Sequence, residues 1–67
     1  MNKKELEKML NNKCEVTFIK LNGDTRKGIF KLNPDTIYNT DAVPVIELIT
    51  GAYKAIKASS VISIKEV

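Results

Sequence analysis

From Cys14 onward the apolar residues fall on every second position, and turn residues interrupt that alternation at short intervals. A period of two marks strands with one buried face, so this part of the chain reads as a succession of short strands. Cys14, Val16 and Phe18 alternate with Glu15, Thr17 and Ile19, which predicts a strand over 14–21. Asn22-Gly23 follows, the strongest short hairpin signal, because a type I′ turn needs positive φ at both central positions. A second strand is expected over 25–32, with Gly28, Phe30 and Leu32 on one face and Lys27, Ile29 and Lys31 on the other. Gly28 inside that run predicts a bulge or sharp bend.

Asn33-Pro34-Asp35 ends the second strand, since proline cannot donate to a ladder. Residues 33–42 read as an irregular loop, polar apart from Ile37 and Tyr38. Further strands are expected over 43–49, 52–57 and 61–67, separated by a turn at Thr50-Gly51 and a break at Ala58-Ser59-Ser60. In the last of them Ile62 and Ile64 should face one way. Before the strands, Leu6, Met9 and Leu10 make one apolar stripe at i, i+3, i+4, which predicts a helix over about 3–10. Asn2 is placed to cap it, with Glu5 in capping-box position, and Asn11 and Asn12 are suited to end it in the left-handed region.

Sixty-seven residues suffice for one small domain. One cysteine excludes an internal disulfide, and the absence of histidine excludes every His-based acid/base mechanism and His-containing zinc site. A five-stranded antiparallel sheet with no second layer hides its apolar face only by curling on itself. The expected fold class is therefore all-β (small α+β): a five-stranded SH3-like or Sm-like barrel with a short N-terminal α-helix over one open end. The break at 58–60 suits the single 3₁₀ turn of such barrels.

Two stretches carry a family resemblance. One is Val16-Thr17-Phe18-Ile19-Lys20-Leu21-Asn22-Gly23-Asp24-Thr25-Arg26, followed by Leu32-Asn33-Pro34-Asp35. The other runs from Val45-Ile46-Glu47-Leu48 through Gly51-Ala52-Tyr53-Lys54-Ala55-Ile56-Lys57 to Ser60-Val61-Ile62-Ser63-Ile64. Together they resemble the small Sm-like, SH3-like barrel proteins common in bacteriophages, grouped with WYL-type domains. That resemblance implies the barrel fold and a phage or mobile-element setting more strongly than any activity. The family usually has tryptophan where this chain has Tyr53, which reduces the aromatic surface of that strand to one ring.

The formal net charge is +3, unevenly spread. Residues 1–31 carry eight basic against four acidic residues, residues 32–48 carry only Asp35, Asp41 and Glu47, and Lys54, Lys57 and Lys65 follow. Basic strands on a curved sheet attract phosphates. The expected nucleic-acid-binding residues are Lys20, Arg26, Lys27 and Lys31 on the first hairpin, with Tyr53, Lys54 and Lys57 on the fourth strand. Arg26, the only arginine, is suited to a bidentate contact. The alternative is a module that binds a host bacterial protein through the 33–42 loop, with Asp35, Ile37, Tyr38 and Asp41 as contacts, or through an edge strand. Homo-oligomerisation through edge strands is compatible with either.

No stretch approaches the roughly 20 apolar residues of a membrane span. The charged start, Met-Asn-Lys-Lys-Glu-Leu-Glu, lacks a signal-peptide core. A cytoplasmic location is expected, and lone Cys14 suits a reducing compartment. No carboxylate pair, nucleophile–base spacing, phosphate loop or metal-ligand pattern stands out, so no enzyme activity, cofactor or metal is expected.

Overall fold

The computed structural model describes residues 1–67. Its first element is helix α1, Lys3–Met9, one residue shorter than expected. Asn2 caps it: its side-chain oxygen accepts from the Glu5 amide at 2.8 Å, and its side-chain amide donates to Glu5 Oε1 at 3.2 Å. The helix does not end in the left-handed region, because no residue other than glycine has positive φ. Instead Asn11 and Asn12 donate to the carbonyls of Lys8 and Met9, tightening the last turn with i→i+3 bonds. The Leu10 carbonyl accepts from the Leu32 amide at 2.8 Å, tying the helix to the sheet.

Five strands follow: β1 Cys14–Ile19, β2 Thr25–Leu32, β3 Ala42–Glu47, β4 Tyr53–Lys57 and β5 Val61–Glu66, with a 3₁₀ turn at Ala58–Ser60. They form one antiparallel sheet in the order β4-β3-β2-β1-β5. No ladder joins the two end strands, so their outer edges are unpaired. The sheet is nevertheless strongly curved. Val16 from β1 and Ile56 from β4, three places apart in strand order, belong to one buried cluster with Phe30, Val43, Val45, Leu6 and Leu10. The α1 stripe closes that cluster on one side, which is what holds a helix too short to persist alone. No helix is long and apolar enough to cross a membrane.

Five local expectations are corrected. β1 stops at Ile19, because Lys20 and Asp24 close the hairpin: the Lys20 amide donates to the Asp24 carbonyl and the Gly23 amide to the Lys20 carbonyl. The turn is not type I′. Asn22 keeps negative φ, and only Gly23, at +90°, enters the left-handed region, the arrangement of a three-residue hairpin loop. The Asn22 side chain secures it by accepting from the Asp24 amide at 3.0 Å.

Gly28 makes no bulge. It pairs in unbroken register with Val16, and a Cβ there would lie 3.0 Å from the Phe30 ring. The glycine is required by a neighbouring ring, not by a bend. The irregularity lies in β5, where Phe18 pairs with Val61 but Thr17 with Ser63. Ile62 is the extra residue; it turns outward while Val61 and Ile64 both pack on the core, so Ile62 and Ile64 do not share a face. β3 ends at Glu47 rather than 49, because the Glu47 carbonyl accepts from Gly51, at φ +73°, and its amide donates to Ala52, closing the turn early.

Candidate functional site

Strand parity divides the basic residues expected to act together. Arg26 lies on the inner face of β2, in line with Gly28, Phe30 and Leu32, while Lys27 and Lys31 project from the outer face. In β4, Lys54 shares the inner side with Ile56, while Tyr53 and Lys57 stand outside. Two groups result. Lys20, Arg26 and Lys54 meet at the hairpin end of the curled sheet, opposite α1. Lys31, Tyr53, Lys57 and Lys27 are spread over the outer surface.

The first group lines a groove of about 500 Å³ between the β1–β2 hairpin and β4. Phe18, Leu21 and Ala55 form its apolar part. Beside it lies Glu47, only 6% exposed, whose carboxylate accepts from the Arg26 guanidinium and, at 3.2 Å, from the Thr50 hydroxyl. Lys54 Nζ stands 4.0 Å from the same carboxylate. Desolvation pushes the Glu47 carboxyl upward, but the bonds from Arg26 and Thr50 and the charges of Arg26 and Lys54 outweigh it and hold the group below its ordinary range. Arg26 therefore sits in a fixed place. A guanidinium carries five N–H donors, and Glu47 is the only group in the chain that the Arg26 guanidinium bonds. Its side chain is 30% exposed.

The outer residues are differently occupied. Lys27 pairs with Glu15 at 3.8 Å, and Lys65 pairs with the same carboxylate at 3.5 Å, an exposed cluster worth little. Tyr53 is 78% exposed beside Ile46, which also neighbours Lys31 on β2, so Lys31, Ile46 and Tyr53 run across three strands.

The 33–42 loop is pinned at both ends. Asn33 accepts from the Asp35 amide at 3.1 Å and reaches the Thr36 hydroxyl at 3.3 Å. Lys3 Nζ donates to the Tyr38 and Thr40 carbonyls at 2.5 and 2.7 Å. Asp41 caps the 3₁₀ turn: its carboxylate accepts from the Ser59 amide at 2.9 Å and its carbonyl from Ala58 at 3.0 Å. The Ser59 amide holds the Asp41 carboxyl below its ordinary range, with Ser59, Lys57 and Lys3 adding to the effect. Asp41 is thus a structural cap. Ile37, 88% exposed, and half-exposed Tyr38 are left at the loop surface.

Sequence reasoning missed Glu47, Phe18, Leu21 and Ala55 as parts of the groove. The signal for Glu47 was present: it continues the inward series Val43, Val45, just as Arg26 extends the series Gly28, Phe30 backwards. Elsewhere Cys14 is buried, its thiol donating to the Met9 carbonyl at 3.2 Å, and burial followed by Glu66 raises its pKa. No three His, Cys, Asp or Glu side chains lie together where they would hold a metal. The chain matches no protein-family model, no curated protein and no solved structure.

Proposed function

We propose that the chain is a non-enzymatic binding module of the SH3-like or Sm-like barrel type, of the kind encoded by phages, and that it binds nucleic acid through its basic groove. The barrel reading is supported by the strand order and by the curvature that brings the end of β1 and β4 to one crevice. The binding reading is carried by one observation: Lys20, Arg26 and Lys54 converge on a single groove, where two of them share one carboxylate, Glu47. Cations so placed meet successive phosphates and release counterions on binding.

The test is fluorescence anisotropy with labelled DNA and RNA over a salt series. Three phosphate contacts predict a slope of log affinity against log salt of about −2 to −3. Lys20→Glu with Lys54→Glu should abolish binding. Absence of binding to any nucleic acid at low salt, or affinity unchanged in that double variant, refutes the reading.

The second reading, a protein-binding module, is favoured by Ile37. A large apolar side chain held out on a loop pinned by Lys3 and Asp41 is a preorganised anchor. Capture of one bacterial protein, lost on Ile37→Asp and insensitive to nuclease, would favour it over nucleic acid.

A further inference from the structure

The groove at the hairpin end is not merely a basic surface, and its mixed apolar and cationic lining narrows what it takes. We infer that it is a pocket for one unpaired nucleotide, so that the protein selects single strands over duplexes. The inference rests on the nucleic-acid reading above and adds where the base goes.

The groove, of about 500 Å³, is broad and open to solvent, so a base can lie against its floor without entering an enclosed cavity. Its walls combine two chemistries. Phe18, Leu21 and Ala55 offer apolar contact, and Lys20, Arg26 and Lys54 offer cationic donors around it. A nucleotide is the ligand with that division, an apolar-faced base joined to an anionic phosphate. A base inside a duplex is stacked and paired, so its faces are covered and meet an apolar floor only after extrusion.

Leu21 supplies an independent sign. It is 96% exposed at the hairpin tip, belongs to no core cluster, and yet lines this groove. Arg26 supplies another. Glu47, itself held by the Thr50 hydroxyl, fixes the position of its guanidinium, so the donors it has left over need no ordering when an anion arrives.

The experiment uses the whole chain and anisotropy with four probes: a ten-nucleotide oligothymidylate, the same strand with abasic sites throughout, a duplex of equal length, and an oligoglutamate of equal charge. Three variants accompany it. Leu21→Ser removes apolar contact at an exposed position. Lys20→Ala and Lys31→Ala remove the same charge inside and outside the groove. Circular dichroism verifies that each variant retains its fold.

The abasic strand should bind about tenfold or more weakly than oligothymidylate, as loss of a base contact implies. Leu21→Ser should weaken oligothymidylate but not the abasic strand, and Lys20→Ala should weaken it more than Lys31→Ala. Equal binding of the abasic and base-bearing strands, or equal loss in the two lysine variants, overturns the pocket while leaving diffuse nucleic-acid binding standing. Oligoglutamate binding as tightly as oligothymidylate, with the same sensitivity to Leu21→Ser, overturns it in favour of an acidic peptide. Failure of every nucleic acid to bind at low salt overturns the broader reading and the pocket with it.

Discussion

Gly28→Ala tests whether the interior is as tightly fitted as the geometry implies. An added Cβ would stand 3.0 Å from two Phe30 ring carbons and 3.3 Å from Glu47 Oε2. Carbon pairs are comfortable at about 3.5–4.0 Å, so the ring must yield by a few tenths of an ångström. It has little room to do so. Phe30 is fully buried and packs edge-on against Phe18, with ring centroids 5.8 Å apart. Forcing an extra methyl into such a place costs about 1–3 kcal/mol. Against this, alanine restricts the unfolded chain and returns about 0.4–1 kcal/mol. Gly28 does not have positive φ, so no backbone strain adds to the sum. The net expectation is destabilisation by about 1.5 kcal/mol. A domain of this size gains only about 3–10 kcal/mol in all, and its melting temperature should fall by roughly 6–12 °C. Urea unfolding followed by far-ultraviolet circular dichroism measures the change. The same substitution in a Phe30→Leu background should cost less than half as much, because the obstructing ring is gone. A Gly28→Ala protein as stable as the parent, or an equal penalty in both backgrounds, refutes the reasoning.

Two further outcomes follow from burial and charge. Leu6→Ala removes the fully buried residue that docks α1 and should cost about 2–5 kcal/mol in urea unfolding, enough to threaten the fold; a loss under about 1 kcal/mol would mean that the helix is dispensable. Glu47 and Asp41 both titrate below their ordinary values in the folded chain, so their stabilisation is fully present above the ordinary carboxylate range and is lost as pH falls through the lower folded values. Urea midpoints measured from about pH 6 down to about pH 2.5 should therefore decline less steeply in Glu47→Gln and in Asp41→Asn than in the parent, and parallel declines would contradict the assignment.

The order of elements could be read directly, because each strand announces itself through alternation and each turn through Asn22-Gly23, Asn33-Pro34 or Thr50-Gly51. What escaped was decided by partners distant in sequence. The tip of β1 is trimmed by the Lys20–Asp24 closure, which depends on the loop as a whole. The outward turn of Ile62 depends on how β5 meets β1, and no local pattern within Val61-Ile62-Ser63-Ile64 shows a bulge. Gly28 was visible as an exception, but its cause is a ring two residues on and a carboxylate from another strand.

The groove shows the same limit in a more useful form. The basic residues were grouped by their position along the chain, as hairpin residues and fourth-strand residues. Parity groups them otherwise. Arg26 and Lys54 occupy inward positions at the ends of apolar series, and so does Glu47. A charged residue at such a position must reach the mouth of the curled sheet, because the interior offers an isolated charge no solvation. An opposite charge on a facing strand must then meet it, or the carboxylate would lie buried without a partner. Extending the inward series past the last apolar residue of each strand therefore picks out the pair from the sequence. It also explains why the pair stands at the end opposite α1. That end has no helix to close it, so Phe18 and Phe30 are followed outward by polar groups that must satisfy one another, and the cations left over face the groove.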